Sequence, residues 1–163
     1  MHYNKEVRGL LHPLAIASNE VSRCAVHQVL YIEDNYENRM LVRRILLASD
    51  EPFHVVEAES ARIGIELAQQ ATPDIILMDL SMPEMDGLTA TRTLRNIPHL
   101  HAIPIVALTA NVMHGDRERS LAAGCDGYIA KPIDIDKFPD EVLFYIRSGH
   151  DRRAKQHQPT DAD

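Results

Sequence analysis

The sequence predicts a doubly wound α/β domain built around a single parallel sheet. Five short, mostly apolar runs recur along the chain, and segments with helical periodicity alternate with them. A run that is apolar on both faces is typical of a strand covered on both sides, as in a parallel sheet. Because a strand is followed by a helix five times over, the expected architecture is a five-stranded doubly wound fold.

Turn-forming residues bound the predicted strands. Pro73 and Pro104 stand just before the third and fourth runs, and Lys131-Pro132 closes the fifth. Proline marks such boundaries because it has no N–H to give to a strand ladder. The five predicted strands cover residues 29–32, 53–56, 75–78, 105–108 and 127–130.

The segments between the runs carry apolar residues at helical spacing. Ser60 is a candidate N-cap for the second helix, and Gly124 ends the fourth, predicted over residues 112–123. Pro139 falls in the first turn of the fifth helix, where a missing N–H is tolerated. The residues that share one helical face are, in chain order, Leu41 with Ile45 and Ala48, Ile63 with Leu67, Leu88 with Thr91 and Leu94, and Phe138 with Val142, Tyr145 and Ile146.

Composition narrows the class of protein. The net charge of −7 gives no electrostatic support to nucleic-acid binding, since phosphate backbones select basic surfaces. No apolar run approaches the length needed to span a membrane, and the start of the chain does not resemble a signal peptide. Cys24 and Cys125 lack the spacing of a metal site and are expected to be free thiols. We therefore expect a cytoplasmic protein.

Patterning divides the chain into three parts. Residues 1–26 mix polar, charged and scattered apolar residues, and we expect an extension of uncertain order. Residues 27–147 contain every predicted strand and helix, which is the length of one ordinary domain. Residues 148–163 are polar and lack an apolar period, which predicts a flexible tail.

Chemically capable residues stand where four of the five predicted strands end. Glu33-Asp34 follow the first strand, Asp79 the third, Thr109 the fourth and Lys131 the fifth. In open α/β sheets the ligand site lies outside the carboxyl ends of the strands, so these side chains are expected to surround one crevice.

This set of residue types indicates phosphoryl-transfer chemistry. Three crowded carboxylates repel one another unless a cation neutralises them, and Mg²⁺ suits a site with few carboxylates and a phosphate to complete its coordination. Lys131 adds a compact positive charge for phosphate oxygens, and Thr109 adds a hydroxyl donor. Aspartate is itself a nucleophile in aspartyl-phosphate intermediates.

Four segments together resemble the receiver domains of two-component systems. They are residues 30–35, 77–87, 107–110 and 127–132, which read LYIEDN, LMDLSMPEMDG, ALTA and GYIAKP. The resemblance covers about residues 27–147 and extends to the intervals between the motifs. It is closest to stand-alone polar-differentiation regulators and to the receivers of hybrid kinases. It implies a flavodoxin-like (βα)5 fold.

The resemblance also implies a role for each site residue. Asp79 would accept the phosphoryl group, while Lys131, Thr109 and Tyr128 would bind it and reshape the face made by the fourth helix, fifth strand and fifth helix. The side chains of Asp34 and Asp79 and the backbone carbonyl of Ser81 would ligate Mg²⁺, with Glu33 acting through water. The residues that would tune the lifetime of the phosphoryl group are Ser81 and Asn111.

The implied function is that of a single-domain response regulator. It would be phosphorylated by a histidine kinase or a histidine phosphotransfer protein, and would catalyse only its own aspartyl phosphorylation and dephosphorylation. Its output would be a contact with a downstream protein or onward phosphotransfer, because the chain has no room for a DNA-binding domain. We expect a monomer or a weak homodimer.

Three other functions fit parts of the pattern. A phosphatase-like hydrolase of the haloacid dehalogenase type would carry a second Asp two residues after its nucleophile, where this chain has Ser81. A flavodoxin-like cofactor binder would want a phosphate loop after the first strand, where Glu33-Asp34-Asn35 would repel phosphate. A receiver that no longer takes phosphate would lack some of the site residues. Taken singly, each of these residues also has an ordinary structural explanation, and only their convergence at one sheet edge favours a site.

Overall fold

The fold is the predicted doubly wound α/β domain. A computed structural model describes residues 26–110 and 116–156, with the side chains of residues 116 and 152–156 left out. The strands are β1 (His27–Ile32), β2 (Phe53–Ala58), β3 (Ile75–Asp79), β4 (Ile105–Thr109) and β5 (Gly127–Ala130). The helices are α1 (Tyr36–Leu47), α2 (Ala61–Gln70), α3 (Gly87–Arg95), α4 (Asp116–Ala123) and α5 (Phe138–Gln156), with a 3₁₀ turn at Pro98–Leu100.

All five strands belong to one parallel sheet in the order β2-β1-β3-β4-β5. Ile32 lies opposite Met78 at the end of β1, and Thr109 lies opposite Ala130 at the ends of β4 and β5. The carboxyl ends of β1, β3, β4 and β5 are therefore neighbours along one edge. β2 lies on the far side of β1 from these strands.

Helices cover both faces of the sheet. On one face, α1 and α5 pack against alternate strand residues such as Tyr31, Leu77 and Val106. On the other, α2 and α3 pack against the intervening residues, including Ile76 and Ala107. Burial on both faces explains why the strands have continuous apolar sequences rather than an alternating pattern.

Side-chain caps begin three of the helices, and one of them, Ser60, is the N-cap that the sequence predicted. Asn35 accepts a hydrogen bond from Asn38 N at the start of α1, and Ser60 accepts one from Ile63 N at the start of α2. Asp86 accepts from the backbone of Leu88 and Thr89 and so fixes the first turn of α3 directly after the loop that follows β3. These caps satisfy N–H groups that have no partner inside the helix.

The fifth helix is longer than the sequence predicted. The flexible tail was expected from residue 148, but α5 continues to Gln156. Gly149 is buried against the ring of Pro104, and His150 Nε2 lies 3.4 Å from Asp74 Oδ1 at the start of β3. The extra turns thus stay in contact with the amino-terminal edge of the sheet. Residues 1–25 and 157–163, which carry the rest of the predicted extension and tail, lie outside the described residues.

Within the two described stretches, no helix is both long and apolar enough to cross a membrane. Cys125 is a buried free cysteine, and Cys24 lies outside the described residues.

Candidate functional site

Acidic and basic side chains meet at the carboxyl edge of the sheet. Glu33 follows β1, Asp79 is the last residue of β3, and Lys131 follows β5. Glu33 is 2% exposed and Asp79 is 5% exposed, whereas Asp34 is exposed. Two of the three carboxylates are therefore removed from water, and the third faces it.

The three carboxylates could hold one metal ion. One carboxylate oxygen from each of Glu33, Asp34 and Asp79 lies within 4.8 Å of the other two. Charged oxygens at this separation repel strongly at the edge of a low-dielectric core, and a hard divalent cation would relieve that repulsion. The residues present therefore fit Mg²⁺, which binds through a few carboxylates and keeps waters in its remaining positions.

Lys131 bridges the two buried acids. Its Nζ donates to Glu33 Oε2 at 2.5 Å and to Asp79 Oδ1 at 2.7 Å. The other oxygen of Asp79 accepts a hydrogen bond from Ser81 N at 3.0 Å. Asp79 is thus held at both oxygens, one by a side-chain cation and one by the backbone of the following loop.

The pKa values in this cluster follow from burial and pairing. Burial raises the pKa of Glu33, but hydrogen bonds from Lys131 and Tyr31 outweigh it and leave the pKa below its usual value. Burial also raises the pKa of Asp79, Lys131 opposes the rise, and the nearby Glu33 adds to it, so the pKa stays above its usual value. Burial lowers the pKa of Lys131, but its bonds to Asp79 and Glu33 raise it more. Lys131 therefore stays charged, and Asp79 is the less favourably ionised of the two acids.

Thr109 lies at the adjacent strand end. It is buried as the last residue of β4, and its carbonyl accepts a hydrogen bond from Lys131 N at 2.8 Å. Tyr128 belongs to β5, where it lies opposite Ala107 and is half-buried. The guanidinium of Arg117, from α4, lies 5.8 Å from the centre of the Tyr128 ring. Asn111, predicted to affect the phosphoryl lifetime, lies outside the described residues.

Two further residues hold Glu33 and Asp34 in place, and neither of them was predicted from the sequence. Arg39 Nη1 donates to the backbone carbonyls of Glu33 at 2.7 Å and Asp34 at 2.9 Å. Its Nε lies 3.6 Å from a carboxylate oxygen of Glu57 on β2. The missed signal was a cation five residues after Asp34, in the first turn of a helix that begins beside the loop.

Tyr31 is the second residue whose role the sequence does not predict, because it forms part of an apolar strand. It is fully buried, yet its hydroxyl donates to Glu33 Oε2 at 2.9 Å. Burial and the charge of Glu33 raise the pKa of Tyr31 well above its usual value, so the hydroxyl remains a donor. The available signal was the two-residue spacing between Tyr31 and Glu33, which places both side chains on one face of the strand.

Comparisons with known proteins find relatives for the part of the chain that carries this cluster. The profile of the response regulator receiver domain matches residues 29–143. The polar-differentiation response regulator DivK of Brucella ovis is 37% identical over 118 residues, which cover 72% of this chain and 94% of that protein.

Solved structures are similar as well. The receiver domain of a sensor histidine kinase of Pseudomonas aeruginosa, with a magnesium ion coordinated in its active-site cleft, is 32% identical with a TM-score of 0.69, covering 76% of this chain and 99% of that one. The chemotaxis protein CheY4 of Vibrio cholerae is 25% identical with a TM-score of 0.69, covering 74% and 99%.

Proposed function

Since the chain belongs to the family of response regulator receiver domains, we propose that it accepts a phosphoryl group on Asp79 in the presence of Mg²⁺ and signals through protein contacts. The observation that carries this proposal is the position of Asp79. It is a buried carboxylate that accepts a hydrogen bond from a lysine ammonium and has an oxygen within 4.8 Å of an oxygen of each of two further acids. This arrangement places a nucleophile, a counter-charge and a metal-binding set at one point.

In the proposed reaction, a carboxylate oxygen of Asp79 attacks phosphorus. The bond from phosphorus to the donor nitrogen of a phosphohistidine breaks, and the donor leaves with the bonding electron pair. Lys131 already donates to Asp79 Oδ1, so it stands where it can neutralise charge on the transferred group. A bound Mg²⁺ would supply further charge neutralisation at the phosphoryl oxygens.

The metal ligands we propose are the side chains of Asp34 and Asp79 and the backbone carbonyl of Ser81, with Glu33 acting through water. Three observations support this set. The three carboxylates converge, Asp34 opens to solvent, and the receiver from Pseudomonas aeruginosa holds magnesium in its cleft. We further propose that Ser81 and Asn111 tune the lifetime of the phosphoryl group.

The response to phosphorylation would begin at Thr109 and Tyr128. The hydroxyl of Thr109, at the end of the strand next to Asp79, would hydrogen-bond the phosphoryl group. Tyr128 would then turn inward and leave Arg117, which reshapes the α4–β5–α5 surface. Phe144 on that surface is 63% exposed, which supports a role for it in contacting a partner.

We propose a histidine kinase or a histidine phosphotransfer protein as the phosphodonor, and residues 27–147 as the receiver unit. The output would be a downstream protein contact or onward phosphotransfer, with the protein as a monomer or a weak homodimer. The match to DivK supports the proposal of a receiver unit, because the alignment covers 94% of that regulator and so leaves little of it outside the receiver domain.

The test is intact mass after incubation with acetyl phosphate, with and without Mg²⁺. We expect one hydroxylamine-labile phosphoryl adduct that requires Mg²⁺ and is absent in Asp79→Asn, because the amide cannot act as the nucleophile. Asp50→Asn is the matched control, since Asp50 is exposed in the loop before β2, away from the site. Equal labelling of Asp79→Asn and the wild type would contradict the assignment.

A further inference from the structure

Tyr31 has a polar group in a place where packing alone does not require one. It is 0% exposed in the core cluster between the sheet and helices α1 and α5. A phenyl ring would fill the same space without a hydroxyl to satisfy, and a buried hydroxyl costs stability unless it is hydrogen-bonded. Here its partner is Glu33, a member of the strand-end cluster.

Glu33 is held by several hydrogen bonds, one of them from the side chain of Asn38. Its Oε2 accepts from both Tyr31 at 2.9 Å and Lys131 at 2.5 Å, and its Oε1 accepts from Asn35 N at 3.2 Å. The backbone contact comes from the loop, and Lys131 also binds Asp79. Tyr31 is the contact fixed by the core, because its ring has only two side-chain torsions and packs between the sheet and helices α1 and α5.

We propose that Tyr31 is a positioning residue that anchors Glu33 against Lys131 and thereby keeps the Lys131 ammonium aimed at Asp79. The anchoring stands on the geometry alone. Its consequence for phosphoryl transfer rests on the proposed function.

The anchor gives Lys131 a partner that does not change during the reaction. When Asp79 becomes an aspartyl phosphate, its oxygens are no longer the same acceptors for Lys131. Glu33 stays where Tyr31 holds it, so the ammonium keeps one fixed contact and needs only to redirect its remaining donors. Preorganisation of this kind avoids the cost of orienting a charge at the moment of reaction.

The first test is independent of metal and phosphate. In metal-free protein, NMR signals of the Lys131 ammonium protons should be protected from exchange with water in the wild type. Tyr31→Phe should make them exchange at least several-fold faster, because Glu33 then moves more freely. The matched control is Tyr145→Phe, which removes a hydroxyl from a half-buried tyrosine on α5. Unchanged protection in Tyr31→Phe would overturn the anchor, whether or not the protein is a phosphoacceptor.

The second test measures the consequence. At saturating Mg²⁺, Tyr31→Phe should be labelled by acetyl phosphate about tenfold more slowly, the lower end of the effect of losing one hydrogen bond to a charged group. In a Glu33→Ala background the same substitution should have no further effect, because the anchored residue is gone. A slow Tyr31→Phe whose defect persists in that background, or a Tyr31→Phe labelled at the wild-type rate, would show that the hydroxyl does not act through Glu33.

Discussion

At the scale of single residues, the cluster places charge where a folded protein normally avoids it. Glu33 and Asp79 are both buried and lie within a few ångströms of each other. Lys131 compensates only part of this, since one ammonium serves two carboxylates. The Lys131 ammonium therefore holds the site together, and its removal should lower the stability of the fold as well as the reactivity of Asp79.

We predict that Lys131→Ala lowers the free energy of unfolding by about 3 kcal/mol at pH 7 without Mg²⁺, because it leaves two buried charges unpaired. Urea unfolding measures this. Lys137→Ala is the control. It removes an exposed lysine that pairs with Asp134 at 2.9 Å, and because solvent screens a surface pair of this kind, the loss of stability should be much smaller. Equal losses in the two variants would mean that the buried pairing adds nothing.

The same variant should show a characteristic pH dependence. Folding lowers the pKa of Glu33, so the stability it contributes is present above its ordinary pKa and is lost as pH falls through the lowered value. Folding raises the pKa of Lys131, so its contribution persists until pH rises beyond its ordinary value. The deficit of Lys131→Ala should therefore be full at neutral pH and shrink as the pH falls into the range where Glu33 and Asp79 bind protons, because a neutral carboxyl group no longer needs the ammonium.

The residues that could be predicted from sequence are those whose place follows from backbone position. Glu33, Asp79 and Lys131 stand at or directly after strand ends, and topology alone brings such positions together. Tyr31 and Arg39 could not be assigned in the same way. Their roles depend on where a long side chain ends, which is decided by packing around the ring and the guanidinium.

At the scale of elements, the junction between β3 and α3 fixes the position of the Asp79 backbone. Gly87 is the first residue of α3, and its N–H donates to Leu80 O at 3.3 Å. A Cβ added at Gly87 would overlap the backbone carbonyl oxygen of Asp79 and come within 2.9 Å of the Cα of Leu80. Glycine is needed here because two backbone segments approach closely, and one of them carries the central carboxylate.

We predict that Gly87→Ala costs about 2 kcal/mol of stability, since overpacking against rigid backbone forces the elements apart. It should also slow labelling of Asp79 at temperatures where the variant is fully folded. Gly149→Ala is the control, because it brings a milder clash, 2.7 Å from the ring of Pro104, at the opposite edge of the sheet. It should lose stability but be labelled at the wild-type rate, and equal rates in the two variants would dissociate Gly87 from the site.

Sequence patterns predict some helix ends and not others. Ser60 is a cap with a local mechanism, and it was predicted correctly. The extension of α5 was not predicted, because the residue that continues its buried face is Gly149, which leaves no apolar residue in the pattern. A buried helix face that is formed by a glycine can be recognised only from the structure, where its packing partner, here Pro104, is known.

At the scale of the whole molecule, the strand order β2-β1-β3-β4-β5 makes the candidate site a determinant of the stability of the fold. It brings the ends of four different strands to one point, so the charges gathered there act on the entire sheet. The repulsion between Asp79 and the adjacent pair Glu33-Asp34 is a cost carried by the folded state, since an unfolded chain keeps Asp79 away from that pair. Whatever neutralises that charge should stabilise the domain as a unit.

Magnesium should therefore raise the global stability of the domain. A ligand that binds only the folded state adds about 1.4 kcal/mol at a free concentration ten times its Kd. We expect a shift of this size in urea unfolding when Mg²⁺ is added, relative to NaCl at equal ionic strength. Asp34→Asn should lose most of the shift, because it removes the solvent-facing carboxylate of the proposed site, whereas Asp50→Asn should keep it. A shift that survives in Asp34→Asn would mean that Mg²⁺ stabilises the protein from some other place, and would separate the acidic cluster from metal binding.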